Sequence, residues 1–277
     1  MTLLVVEPAH LPIAKLLYGD DPREGPLRFA VHADVIDRKL DLDGSVLLSG
    51  VDTMSADEQQ ALCRLVRESC AIRRVFNRPP GAPRRFTHLR ALHEAGFNQY
   101  QVWLGAQVLT ARAFPLVLRH IVTGDALSPA IASLEGLRQA CGRLQCDIEE
   151  VFGVELCAQQ GRDGLYRKYS CFVVGTRSIP AHLHLGKHWL IRGRNRVATT
   201  EALAEESDFL AQNPHHEQLC EAARICGVDF ARIDYGLLEG RVQVYEFNMT
   251  PGLGVPVGQA YRENSVRMAL REAFALL

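Results

Sequence analysis

Four residues near the C-terminus, Arg232, Asp234, Glu246 and Asn248, have types and spacings that could do chemistry together. They fall in DFARIDYGLLEGRVQVYEFNMTPG, residues 229–252, which reads as two strands joined by a short turn. Side chains alternate along a strand, so Arg232 shares a face with Asp234, and Glu246 with Asn248. A three-residue loop, Leu238-Glu239-Gly240, with glycine at the left-handed position, sets Asp234 opposite Val244 and joins the two faces. Two carboxylates and an amide oxygen then converge, a hard donor set suited to Mg2+ with positions left open for phosphate oxygens. Arg232 beside them offers a fixed fork for a transferring phosphoryl group. The plainer reading is an acidic, solvated strand face. Against it stand Val242 and Val244, which this register puts on the face of Glu246. The turn Thr250-Pro251-Gly252 adds a glycine that lets backbone N–H groups approach a ligand.

The elements that must carry this hairpin follow an α/β order. LLVVE and SVLLSG read as strands, and Ser55 and Glu58 have capping-box spacing ahead of Leu62, Leu65 and Val66. VFN leads into the turn Arg78-Pro79-Pro80-Gly81. A helix near 85–95 should stop at Gly96, with strand-like FNQYQVW after it. FPLVLRHIV reads as a strand and Ser128-Pro129 as a helix start, the helix running into the 140s. VFGVELC, LYRKYSCFVVG and IPAHLHL read as strands, the last two joined by a turn at Gly175-Thr176-Arg177-Ser178. A helix opens at Asn213-Pro214 and closes at Gly227. The terminal segment puts Val266, Ala269, Leu270, Ala273, Phe274 and Leu277 on one apolar stripe. REGPLR with HADVIDR, mixed in charge, reads as exposed surface.

The hairpin resembles the C-terminal core of ATP-grasp enzymes, a family that reads roughly D-x-x-R-x-D, a hairpin, then E-x-N-x-x-P-G. Asp229, Arg232, Asp234, Glu246, Asn248, Pro251 and Gly252 carry the match. The resemblance implies an N-terminal α/β domain (1–108) followed by a grasp of two α+β subdomains, 109–185 and 186–277. It assigns Mg2+ to Asp234, Glu246 and Asn248, the transferred phosphate to Arg232, and the tetrahedral oxyanion to a backbone N–H near Gly252. FPLVLRH resembles the strand that presents a lysine to the nucleotide phosphates; Arg119 stands there instead, and no lysine occurs between Lys39 and Lys168. VELC resembles the hinge strand, so Glu155, Leu156 and Cys157 are expected to bind adenine and ribose. The neighbouring strand is expected to turn Arg167 or Lys168 toward phosphate. The loop HIVTGDALSP is read either as a cover for the phosphates through Gly124 or as a plain surface turn.

The implied activity is Mg2+-dependent joining of a small-molecule carboxylate to an amine through an acyl-phosphate, with ATP consumed. A kinase acting on a hydroxyl acceptor, and a nucleotide-binding module without catalysis, are the alternatives; Arg119 in place of lysine is the feature that favours the last. His182 and His184 share a strand face with His188 nearby, open to zinc, to substrate contact, or to a plain polar strand end. His215 and His216 read as solvated residues of a first helical turn, and Cys171 as core.

Composition narrows the partners. The 277 residues carry a formal net charge of −1, with 47 % apolar and 23 % charged residues, which points to neither nucleic acid nor a membrane surface. No apolar run approaches the roughly 18 residues needed to span a bilayer. Eight cysteines without a CxxC pair fit a reduced, cytoplasmic protein better than a disulfide framework.

Overall fold

A computed structural model describes residues 2–18, 27–38, 40, 42–51, 54–78, 84–192, 195–249 and 260–277. The apolar run at the start forms β1 (Thr2–Val6), buried along its whole length between parallel neighbours. The first sheet has the order β2-β1-β3-β4, with β2 Leu27–Val31, β3 Gly44–Leu48 and β4 Ile72–Phe76. Helix α3 (Ala56–Glu68) starts where the capping box placed it: Ser55 Oγ accepts from the Glu58 N–H at 3.3 Å, and Glu58 returns the bond to the Ser55 N–H at 2.9 Å. The charged segment read as surface is otherwise organised. Its apolar LRFAV core adds β2 to the edge of β1, and the short helix α2 (His32–Ile36) buries His32 and Val35. REGP itself and the Pro79-Pro80-Gly81 turn lie outside the described residues.

Two antiparallel sheets follow. The smaller has the order β5-β7-β6 (β5 Val102–Leu104, β6 Leu116–His120, β7 Val151–Glu155). The larger has the order β11-β10-β8-β9 (β8 Tyr166–Val174, β9 Arg177–Gly186, β10 Phe230–Leu238, β11 Arg241–Asn248). One face of the larger sheet packs Tyr169, Cys171, Leu183, Ile233 and Tyr235 against two helices, α6 (Thr200–Gln212) and α7 (His216–Cys226). The far end of its other face packs Phe172, Val174 and Phe230 on the first sheet and on α8 (Ala260–Phe274). The terminal stripe is therefore core, with Val266, Leu270, Ala273 and Phe274 buried.

Several expected elements shift. FNQYQVW yields only Val102 and Trp103 of β5, because Asn98 spends its side chain on the edge of β11. Asn98 Nδ2 donates to the Val244 carbonyl at 3.1 Å and Asn98 Oδ1 accepts from the Val244 N–H at 2.9 Å. Ser128-Pro129 does not open a helix: Ser128 Oγ accepts from the Leu118 N–H, and Ile131 bridges to Leu116. Helix α5 (Leu134–Cys141) starts later, at a cap on Ser133. Asn213, taken as a helix start, has φ 45° and ends α6, a helix with no counterpart among the expected elements. Helix α4 (Arg84–Glu94) ends at Gly96 as expected, with φ 72°. It falls in the stretch assigned to the N-terminal domain, yet Leu92 packs in the core of the larger sheet, and Phe86 and Leu89 pack with Phe152 of the smaller.

The hairpin is built differently from expectation and reaches the same result. Its loop has two residues, Glu239 and Gly240, both with positive φ (51° and 78°), as a type I′ turn requires. That turn pairs Tyr235 with Val244 and alone would set Asp234 opposite Tyr245. A bulge between Asp234 and Tyr235 admits one more residue on β11, so Asp234 pairs with Glu246 and Arg232 with Asn248. The extra residue sits in the bulge instead of the loop, which restores the parity. It also overturns the placement of Val242 and Val244, which lie in the helix-packed core and not on the face of Glu246.

Candidate active site

Register places a row of polar side chains across one face of the larger sheet. Asp234 on β10 is flanked by Glu246 on β11 and by Ser170 on β8, and Ser170 by His182 on β9. Asp234 is 2 % exposed. It accepts from Ser170 Oγ at 2.7 Å, Arg232 Nε at 3.0 Å and Lys168 Nζ at 3.1 Å. Burial works against its charge, but the cations of Arg232 and Lys168 and the Ser170 hydroxyl outweigh it and hold the carboxyl well below the usual range. Glu246 forms an ion pair with Arg85 of α4 and accepts from Asn248 Nδ2 at 3.3 Å. Both carboxylates are thus paired with internal cations.

A cleft runs between the two antiparallel sheets. From the smaller sheet it is lined by Arg119, Glu155, Leu156 and Cys157, and from the larger by Lys168, Asp234 and Glu246. Val117, Val154, Leu89 and the aromatic rings of Tyr100 and Tyr245 form an apolar floor, and Trp189, Leu190 and Ile191, which follow β9, line another wall. Seven residues expected from widely separated segments are therefore brought to one place. Arg232 and Asn248 form the adjacent pair on the same strands. Gly252 lies outside the described residues.

Details differ from the expected roles. Arg167 lies on the opposite face from Lys168, bound to Glu205 (2.5 and 2.8 Å) and to Asp163 (2.9 and 3.1 Å), and does not line the cleft. Glu155 accepts from the Gln101 N–H at 3.0 Å, and the Leu156 N–H donates to the Pro115 carbonyl at 2.8 Å. Burial pushes the Cys157 thiol up to about 12, so it contributes as a neutral, apolar wall. Arg119 donates to the Gly124 carbonyl at 2.8 Å, as does Arg85. Burial and the nearby Arg85 lower the affinity of Arg119 for its proton, while Glu246 supports it. The loop after β6 is thereby tied to the two arginines through Gly124.

His182 and His184 are both buried and stacked, with ring centroids 4.2 Å apart. Among the described residues no group of three or more His, Cys, Asp or Glu side chains is arranged to hold a metal ion, so a zinc centre has no support there. His215 is half-buried: its Nδ1 lies 2.9 Å from Tyr235 Oη, and its ring packs on Tyr169. Cys171 is fully buried, as expected.

Ser170 and Arg85 were not singled out from the sequence. Ser170 had a readable signal, two residues from Lys168 on the same strand face. Arg85 had none, since only folding brings it to Glu246.

No protein-family model matches the chain, and no curated protein matches it. Solved structures do. D-alanine–D-alanine ligase from Bacillus anthracis complexed with ATP aligns over 100 % of this chain and 97 % of its own, at 14 % identity and a TM-score of 0.55. The ATP-grasp ligase PsnB, complexed with a phosphomimetic variant of its minimal precursor, Mg and ADP, aligns over 99 % and 97 %, at 12 % identity and a TM-score of 0.56. D-alanine–D-alanine ligase from Coxiella burnetii aligns over 100 % and 93 %, at 11 % identity and a TM-score of 0.55. The chain has the ATP-grasp fold. At these identities the likeness extends to the fold and not to the substrates.

Proposed function

We propose that the protein is an ATP-dependent, Mg2+-dependent ligase that joins a carboxylate to an amine. The observation that carries this reading is the pairing of Asp234 with Glu246 at one end of a cleft that also holds Lys168 and Arg119, in an ATP-grasp fold. The apolar floor of Tyr100, Val117, Val154 and Tyr245 suits a nucleobase, and Lys168 and Arg119 suit its phosphates. Lys168 restores to the cleft the lysine that Arg119 replaces on β6.

The donor set fits Mg2+. Asp234 and Glu246 are anionic oxygen donors directly opposite one another, and Asn248 adds an amide oxygen from the next inward position of β11. When bound there, the ion would neutralise the phosphates and stabilise charge developing on the transferred group. Arg232, held by Asp234 at 3.0 Å, is positioned to bind the same group. Lys168 and Arg85, now paired with the two carboxylates, are the cations that would be freed for phosphate oxygens. Attack of a substrate carboxylate on the γ-phosphate gives an acyl-phosphate and ADP; the amine then displaces phosphate and loses a proton. Phosphate leaves where hydroxide would not, so two accessible steps replace one. All eight cysteines are free thiols, in keeping with a reduced compartment, and among the described residues no helix is long and apolar enough to cross a membrane.

Calorimetry of ATP with and without Mg2+ tests the reading. Glu246→Ala and Asn248→Ala are expected to abolish the Mg2+-dependent part of ATP binding. ATP affinity indifferent to Mg2+ in the unaltered protein would sink the proposal.

A further inference from the structure

Beyond the nucleotide and metal residues, the same sheet face carries a feature that the proposed chemistry does not use. His182 and His184 are 3 % and 4 % exposed, yet His182 Nδ1 and both ring nitrogens of His184 are buried without a hydrogen-bond partner among the described residues. A neutral imidazole has one N–H donor and one lone pair, so in either tautomer His184 leaves a donor unmet. Leaving such a group without a partner is expensive, and two side by side in one stack is far from ordinary packing. Pairing places them beside the centre: His182 is opposite Ser170, which binds Asp234, and His184 is opposite Lys168, which lines the cleft. At about 4.8 Å per strand, His182 lies roughly 10 Å from Asp234 along the row.

The charges around the pair decide what it would take. Of the charged groups that act on it most strongly, Lys168, Arg232 and Arg196 are cations and Asp234 is an anion, while the buried Glu206 is engaged from the other face by the Leu183 N–H. Burial, together with these cations, keeps both rings neutral. Neutral rings beside these cations present N–H donors without a competing carboxylate of their own.

We propose that His182 and His184 bind an anionic oxygen group, a carboxylate or a phosphate, belonging to the acceptor substrate. The assignment rests on the ligase reading for the words "acceptor substrate"; the anion site itself does not. The rings are stacked with centroids 4.2 Å apart, close enough for both to donate to one group with two or more oxygens. Lys168 and Arg232 supply the charge. The substrate would then carry two features, a reacting group at Asp234 and Arg232 and an anionic handle about two strands away.

The test reads the imidazoles directly. Nitrogen–proton correlation spectra of the full chain are recorded with and without MgADP while acetate or inorganic phosphate is added, with His182→Asn and His184→Asn used to assign the two rings. Saturable shifts confined to these two histidines are expected from one of the anions: from acetate for a carboxylate handle, from phosphate for a phosphate handle. Either asparagine variant should weaken that anion about tenfold or more, the scale of a hydrogen bond to a charged group. If neither anion moves these resonances while MgADP binds, the proposal is overturned and the ligase reading stands. If MgADP fails to bind while an anion still shifts the pair, the ligase reading falls and the anion site survives. Where a variant does not fold, through-bond correlation from ring to backbone assigns the two imidazoles in the unaltered protein, so the outcome stays readable.

Discussion

Asp234 and the His182–His184 pair lie on one sheet face and all resist protonation in the folded protein, the carboxyl held charged and the imidazoles neutral, so each loses stability as pH falls. The depressed Asp234 carboxyl contributes stability above the unfolded carboxylate value and loses it only below about pH 4, as it is finally protonated. The histidines are held neutral, His184 at about 4 against an ordinary 6.5. Below pH 6.5 the unfolded chain takes up protons that the folded protein refuses, so stability falls with pH through this window. Each histidine contributes up to about 1.4 kcal/mol per pH unit there. Urea unfolding at pH 7.5, 6 and 5 is expected to show that loss, and His184→Asn to flatten it. Equal midpoints across the three pH values would mean that the rings find partners in solution.

At the scale of elements, the hairpin rests on a turn that its own sequence does not favour. Glu239 takes φ 51° without a glycine or asparagine to ease it, and only Gly240 suits the type I′ turn. Glu239→Asn creates the preferred Asn-Gly pair and should raise stability by about 0.5–1 kcal/mol. Glu239→Val should lower it by a similar amount or more, because a β-branched residue resists the left-handed region. Thermal unfolding of the two variants measures both. The bulge is the second device: it puts Tyr245 and Glu246 on the cleft side while leaving Val244 in the helix-packed core.

For the whole molecule, the key contact joins the first sheet to the strand that carries Asp234. Asn77, just past β4, is 1 % exposed and has φ 55°. Its Oδ1 accepts from the Asp229 and Phe230 N–H groups at 2.9 and 3.0 Å, and its Nδ2 donates to the Phe230 carbonyl at 2.7 Å. Asp229 replies through its carboxylate, which accepts from the Asn77 N–H at 2.8 Å. Asp229 is the first residue of the family-like motif, and its visible task is to anchor β10 to the N-terminal sheet. Asn77→Ala leaves buried backbone groups without partners and should cost roughly 3 kcal/mol, read as a lowered unfolding midpoint. An unchanged midpoint would show the two parts of the chain to be less dependent on each other than this contact implies.

Much of this was legible in the chain alone where the signal is local. Strand alternation placed Arg232 with Asp234 and Glu246 with Asn248, the capping box placed α3, and the apolar stripe placed α8. Other features depend on contacts between distant segments, which local pattern does not encode. The loop length and the bulge gave the same parity, so sequence could identify the convergent set without locating the extra residue. Helix α6 was missed, and Asn213 was misassigned because a left-handed residue that ends one helix resembles the opening of the next. Which of Arg167 and Lys168 faces the cleft depended on Glu205 and Asp163 claiming the first. The partner of Glu246 depended on α4 folding onto β11. The residue types determined the chemistry available to this protein, and tertiary packing decided which of those residues share the cleft, because burial and charge pairing act through space.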